Sequence, residues 1–247
     1  MGWTAQSRNG SNRVDRAVQS GYRDRIPATT ELTAKGAATR ARIVEAAADL
    51  VLARGVGGTS LDDIRAGTAT SKSQLFHYFP GGKSDLVGAI ASFQSERVLD
   101  AQRPFLDTLD TWEAWEGWRD AVVAHYGSQP HWGCPIGALV SEVIANDPVL
   151  AADVSVHMER WRAYLEAGVT RMRAAGLIRD EADPQALALS TFAALHGGLL
   201  LTQMMQSVAP LEAALDGALA ALRSAAAEPE RRARQGVARD AQDVESA

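Results

Sequence analysis

Residues 59–83 gather side chains suited to holding phosphate and reading base edges. Ser71, Lys72, Ser73, Gln74, His77 and Tyr78 share a short segment with Leu75, Phe76 and Phe79, whose spacing is helical. Gln bonds adenine through two atoms at once, Lys reaches guanine or phosphate, and Ser does either. Thr59, Ser60, Tyr78 and Lys83 fall at expected helix ends, where hydroxyls, amides and a cation grip phosphate and fix register. This is chemistry for the major groove of DNA.

A solvated polar helix carries the same residue types, so the elements that position them decide the matter. A first helix is expected over about 38–54, with Ile43, Val44, Ala47, Leu50 and Val51 on one stripe and Gly55 as a left-handed cap. Gly57-Gly58 makes the turn. Ser60 then caps a second helix, with Asp63 three residues on in capping-box position. Gly67 and Thr68 end it, and a third helix runs from about Ser71 to the Phe79-Pro80-Gly81-Gly82 stop. Leu61, Ile64, Leu75, Phe76 and Phe79 are the residues expected to lock this pair onto the first helix. A short bracing helix followed by one with a polar outer face has the proportions of a helix-turn-helix.

Charge agrees with that placement. Residues 1–83 hold 12 Lys and Arg against 7 Asp and Glu, a net +5, while residues 84–247 hold 13 against 23, a net −10. A basic front on an acidic body presents only its first part to a polyanion.

The segment from Thr39 to Leu86 resembles the N-terminal domain of the tetracycline-repressor (TetR) family of bacterial transcription regulators. Four blocks carry the resemblance: Ala41-Arg42-Ile43-Val44-Glu45-Ala46-Ala47, Gly58-Thr59-Ser60-Leu61-Asp62-Asp63-Ile64, Leu75-Phe76-His77-Tyr78-Phe79 and Lys83-Ser84-Asp85-Leu86. Arg65 stands where the family has a small Ala, Ala69-Thr70 replaces the turn Gly and following Val, and the Pro80-Gly81-Gly82 joint is one residue longer. The run Gly133-Cys134-Pro135-Ile136-Gly137-Ala138-Leu139-Val140-Ser141-Glu142, with Trp161-Arg162 and His196-Gly197-Gly198, is similar to one subgroup's C-terminal half. The resemblance implies an all-helical homodimer whose C-terminal domain binds a small molecule and releases DNA.

Six further helices are expected, beginning near Lys83, 111, Pro135, Pro148, Pro184 and Pro210. Asp147-Pro148 and Asp183-Pro184 pair a cap with proline at the first helical position. Phe93, Trp115, Trp118, Val122, Tyr126, His157, Trp161 and His196 are expected to line an apolar, aromatic effector pocket of the drug-like kind. The plainer reading of these aromatics is ordinary core. The eighth helix carries Leu187, Leu189, Phe192, Leu195, Leu199, Leu200, Leu201, Met204 and Met205 around most of its surface, so a second subunit is expected to cover what the chain leaves bare.

Other chemistries find little support. His125, His131 and Cys134 fall short of the four ligands of a structural zinc site. Cys134 is the sole cysteine, which excludes an internal disulfide; a redox role would require a lowered pKa and exposure. No nucleophile–base set, carboxylate pair or phosphate loop is apparent, and no enzyme or cofactor is expected. No run of 18 apolar residues suggests a membrane span, so a cytoplasmic protein is expected.

The expectation is therefore an all-α chain. Residues 1–36 form a disordered basic arm, 37–82 a three-helix helix-turn-helix DNA-binding domain, 83–227 a ligand-binding and dimerisation domain, and 228–247 a disordered tail. Its partners are a double-stranded DNA operator, a small-molecule effector and a second copy joined through about 184–227. Its function is that of a ligand-responsive repressor. The alternatives are a helical protein that sequesters a hydrophobic ligand without operator binding, or a redox-triggered regulator working through Cys134.

Overall fold

The computed structural model describes residues 32–129, 131–143 and 147–227. The arm and tail expected at the two ends lie mostly outside these residues. Nine α-helices occur among the described residues: α1 (Ala34–Arg54), α2 (Leu61–Thr68), α3 (Lys72–Tyr78), α4 (Lys83–Asp100), α5 (Trp112–Gly127), α6 (Pro135–Val143), α7 (Pro148–Ala174), α8 (Pro184–Met205) and α9 (Ala209–Ser224). A 3-10 turn, Phe105–Thr108, separates α4 from α5. There is no strand among the described residues beyond one isolated antiparallel bridge between Ile178 and Ala226.

Two boundaries differ from the sequence expectation. Helix α1 starts at Ala34, inside the stretch expected as an arm, because the Thr33 hydroxyl accepts the Gly36 N–H at 3.2 Å and caps it. Helix α4 stops at Asp100 rather than near 103, since the chain must leave helical geometry before Pro104.

Local chemistry explains the other ends. Ser60 and Asp63 form the expected capping box on α2. Ser71 and Gln74 form a second on α3, with Gln74 Oε1 accepting the Ser71 N–H at 3.1 Å. Asp147 and Asp183 cap α7 and α8 ahead of their prolines.

Helices α1, α2 and α3 bury Ile43, Ala47, Ile64, Leu75 and Phe79 against Leu86, Val87 and Ile90 of α4, so α4 belongs to the head's core as well as to the body. In the body α4 packs on α7, and α8 packs on both α7 and α9. The Arg160 guanidinium of α7, itself buried, pairs with Glu96 of α4. Arg119 of α5 pairs with Asp216 of α9 at 2.8 Å.

Helix α8 is the most apolar element, and by length and composition alone could cross a membrane. Its apolar residues instead divide between two faces. Leu195 and Leu199 are buried in the body, while Leu189, Leu200, Leu201, Met204 and Met205 face outward.

Candidate functional site

The reading helix is braced from below. Arg42 Nη1 of α1 donates to the Thr68 carbonyl at 2.6 Å, which fixes the turn into α3. Thr68 and Thr70 are both buried, with their hydroxyls 2.8 Å apart and Thr68 bonded back to Ile64 O. Ala69 between them adopts φ 50°, ψ 39°, the left-handed region in which the family places glycine. The departure noted at this turn is thus accommodated by backbone strain at one alanine. Arg40 lies 5.2 Å over the Phe79 ring and closes the head from the α1 side.

On this support Ser71, Lys72, Ser73, Gln74, Phe76 and His77 are exposed, Tyr78 is half-buried, and Leu75 and Phe79 are 1% exposed. The His77 and Tyr78 rings meet edge to face with centroids 5.0 Å apart. Lys83, half-buried, opens α4. Most of the residues expected to contact DNA are therefore solvent-exposed, on or beside α3.

Three of the expected roles change. Thr59 is wholly buried, its hydroxyl donating to Gly55 O at 2.8 Å and its N–H to Val56 O at 3.4 Å, so its side chain holds the turn rather than phosphate. Phe76, expected in the hydrophobic lock, is 40% exposed, because it falls one residue off the Leu75–Phe79 stripe. It stands beside the reading residues, where an apolar ring suits a thymine methyl. The sequence signal was that one-residue offset, about 100° round the helix. Gln74, expected to read a base, closes the α3 cap with its carbonyl oxygen, which leaves its amide N–H groups outside that bond. Arg65 forms an ion pair with Asp62 at 2.6 Å on the helix surface.

The joint to the body is built as a brace. Gly82 N–H donates to Phe79 O at 2.9 Å, and the Asp85 carboxylate accepts the Gly81 N–H at 2.6 Å. A side chain on Gly81 would push that carboxylate aside, with the Asp85 oxygen 2.4 Å away, and Gly82 has φ +68°, where a side chain is strained.

A second connection comes from the body itself. Glu142 of α6 accepts the N–H of Val56 at 2.6 Å and of Gly57 at 3.1 Å, both in the α1–α2 turn. Gly55, at φ +76°, lets the carboxylate approach, since a Cβ there would lie 3.0 Å from its oxygens. Ser84 Oγ of α4 adds a longer contact to Asp147 at the start of α7, 3.4 Å.

The aromatic set expected to line a pocket is packed differently. Trp115, Trp118, Val122 and Trp161 have no exposed surface, and Trp115 and Trp118 meet edge to face at 5.6 Å. Gln102 explains the close packing: its Oε1 accepts both indole N–H groups, from Trp118 at 2.7 Å and Trp161 at 2.9 Å. Trp161 also meets Phe192 and His196 edge to face. His157 lies 3.4 Å from Ser92 Oγ, and burial, assisted by Arg160 and opposed by Glu96, holds its pKa down to about 4. His196, with Nδ1 3.0 Å from Phe192 O, is likewise lowered by burial. Phe93 stacks under Arg97 at 5.5 Å. Trp118 and Trp161 pack as core with their indole N–H groups satisfied by Gln102, whereas the buried Trp115 Nε1 has no hydrogen-bond partner among the described residues.

Space opens where head and body meet. Three neighbouring cavities of about 380, 260 and 150 Å³ share Leu52 of α1 as a wall. Tyr126 is the member of the expected pocket that reaches the first, and Glu142 borders the third. Cys134 borders the second; burial pushes its thiol pKa up, against backbone N–H groups of α6, so the thiolate required of a redox sensor is disfavoured. Among the described residues no cluster of three His, Cys, Asp or Glu side chains could hold a metal ion.

Comparison with known proteins accords with this geometry. The sequence profile described as "Bacterial regulatory proteins, tetR family" matches residues 43–90, and that described as "Tetracyclin repressor-like, C-terminal domain" matches residues 115–218. An uncharacterized HTH-type transcriptional regulator of Mycobacterium tuberculosis is 29% identical over 190 residues, which cover 70% of this chain and 88% of that one. A TetR transcriptional regulator from Chloroflexus aurantiacus superposes with a TM-score of 0.67 at 27% identity, covering 78% of this chain and 98% of that one. A TetR-family regulator from Agrobacterium tumefaciens shares the fold at a TM-score of 0.64 and 20% identity, over 76% and 98% of the two chains.

Proposed function

From the premise that the chain belongs to the TetR family and is a helix-turn-helix transcriptional regulator rather than an enzyme, we propose that it is a ligand-responsive repressor. Two copies bind a palindromic operator in the cytoplasm and release it when a small molecule occupies the body. Residues 37–82 read DNA, and residues 83–227 bind the effector and pair the subunits.

The observation that carries this reading is the division of α3. Leu75 and Phe79 are anchored in the head while Lys72, Ser73, Gln74, Phe76 and His77 face outward, and the caps and amides at the helix ends are positioned to hold register. Pairing is supported by the outward stripe Leu189, Leu200, Leu201, Met204 and Met205, since contiguous exposed apolar surface marks an interaction site. Paired α8 and α9 helices would set two α3 helices for successive major grooves, roughly 34–36 Å apart. Release needs little energy: a hundredfold loss of operator affinity is about 2.7 kcal/mol of coupling.

Selection from random duplex DNA tests the proposal. The expected product is an inverted repeat with half-sites about one helical turn apart. Failure to enrich any sequence, or enrichment of a single unpaired half-site, refutes it. Sedimentation of a Leu200→Glu/Met204→Glu variant should show monomers with weakened operator binding, whereas an unaltered dimer would place the interface elsewhere.

A further inference from the structure

The 380 Å³ cavity between α1, α4 and α5 is large enough for a metabolite-sized ligand, within the usual range of about 300–1,000 Å³. It does not coincide with the tryptophan core. Gln94 on its α4 wall is only 5% exposed and borders both this cavity and the smaller one under Glu142. One turn on, Arg97 lines the same cavity; it has no carboxylate partner among the described residues and stacks on Phe93.

The polar lining is mostly donor in character. Arg97 offers a fork of N–H groups and Gln94 an amide, while the Gln129 amide nitrogen already lies 3.3 Å from the His125 ring. His125, whose pKa burial and Arg97 push down, remains a neutral partner. Asp49 of α1 is the one carboxylate on the wall and is not ion-paired with Arg97. Leu52, Val98 and Pro135 supply apolar surface.

We propose that this cavity is the effector site and that it takes a small organic acid. The carboxylate meets Arg97, a second acceptor or an edge of the same group meets Gln94, and an apolar body lies against Leu52 and Tyr126. The proposal rests on the reading of the chain as a ligand-responsive regulator. It places the ligand between α1 and α4, with Gln94 also bordering the smaller cavity under Glu142. Occupancy would therefore press on the contact between body and head directly.

The test uses the full chain and matched probes: benzoate, 2-naphthoate and octanoate, each beside its primary amide and its amine, titrated by calorimetry. At least one acid should bind, and more tightly than its amide and amine. Arg97→Ala should weaken that acid about tenfold to a hundredfold, the range for a charge-assisted hydrogen bond. Asp49→Asn should tighten it about threefold to tenfold by removing an opposing charge, an increase that a misfolded variant would not give. Preference for an amine, weakening by Asp49→Asn, indifference to Arg97→Ala, or no binding by any acid overturns the proposal. Operator binding by the same preparations separates the two claims. Protein that binds its selected operator but no acid loses this site alone, whereas protein that binds no operator loses the regulatory reading.

Discussion

Removing the Glu142 carboxylate should loosen the head without unfolding the body. Its oxygen accepts two backbone N–H groups across a gap of 86 and 85 residues, from Val56 at 2.6 Å and Gly57 at 3.1 Å. A hydrogen bond to a charged group contributes about 1.5–3 kcal/mol when its donor has no substitute. Gly57 is exposed, so water replaces most of its share, and Val56 is half-buried. The expected cost of Glu142→Ala is therefore roughly 2 kcal/mol. Because the contact joins one turn of the head to one helix of the body, the loss should appear as local opening of the α1–α2 turn. About 2 kcal/mol corresponds to roughly a thirtyfold rise in the open population, read as faster hydrogen exchange at the Val56 and Gly57 amides. Glu142→Gln keeps an acceptor but removes the charge, which about halves the bond, so roughly fivefold is expected. If neither amide accelerates in Glu142→Ala while global stability falls, Glu142 is a body residue and the latch interpretation fails.

Other substitutions test the head and the core. Gln74→Ala should relax preference at one or two base pairs by about 1–3 kcal/mol, measured by anisotropy across single-base operator variants; a uniform loss at every variant would leave Gln74 with its capping role alone. Ala69→Gly should stabilise the protein by about 0.5–1 kcal/mol in thermal or urea unfolding, as relief of left-handed strain exceeds glycine's added freedom when unfolded; destabilisation would contradict the strained turn. The His157 pKa is depressed, from an ordinary 6.5 to about 4. Between those values the unfolded chain binds a proton that the folded chain does not, so stability is full above about pH 6.5 and falls as pH drops toward 4. The total is roughly 3 kcal/mol. His157→Gln should flatten the unfolding curve over that window by about one proton, and an unchanged slope would show that His157 is not the titrating group.

What the sequence made legible was short in range. Ser60 with Asp63, Asp147 with Pro148 and Asp183 with Pro184 declare helix starts within three residues, and the structure places helices there. Gln74 shows the limit of that logic, because the spacing that offers it to DNA also makes it the partner of the Ser71 N–H. Phe76 was misplaced because one position decides between the buried stripe and the outward face. The tryptophans were identified as interior, but whether they enclose space depends on Gln102, whose oxygen joins indoles from α5 and α7. Glu142, Gln94 and Arg97 had no local signal. Each gains meaning from residues on other elements, brought near only by folding.

The long fourth helix has a mechanical consequence. Its 18 residues span about 27 Å at 1.5 Å per residue, with one end in the head's core and the other beside α7. The Asp85–Gly81 and Gly82–Phe79 bonds make the extra joint residue a weld rather than a slack hinge. A tilt of about 5° at the body end would thus swing the far end through roughly 2.4 Å. Two such arms swinging apart in a pair would change the distance between their tips by almost 5 Å, which exceeds the roughly 3.4 Å step between neighbouring base pairs. A lever of this length turns a displacement smaller than one methyl group near its fulcrum into a loss of register on the duplex.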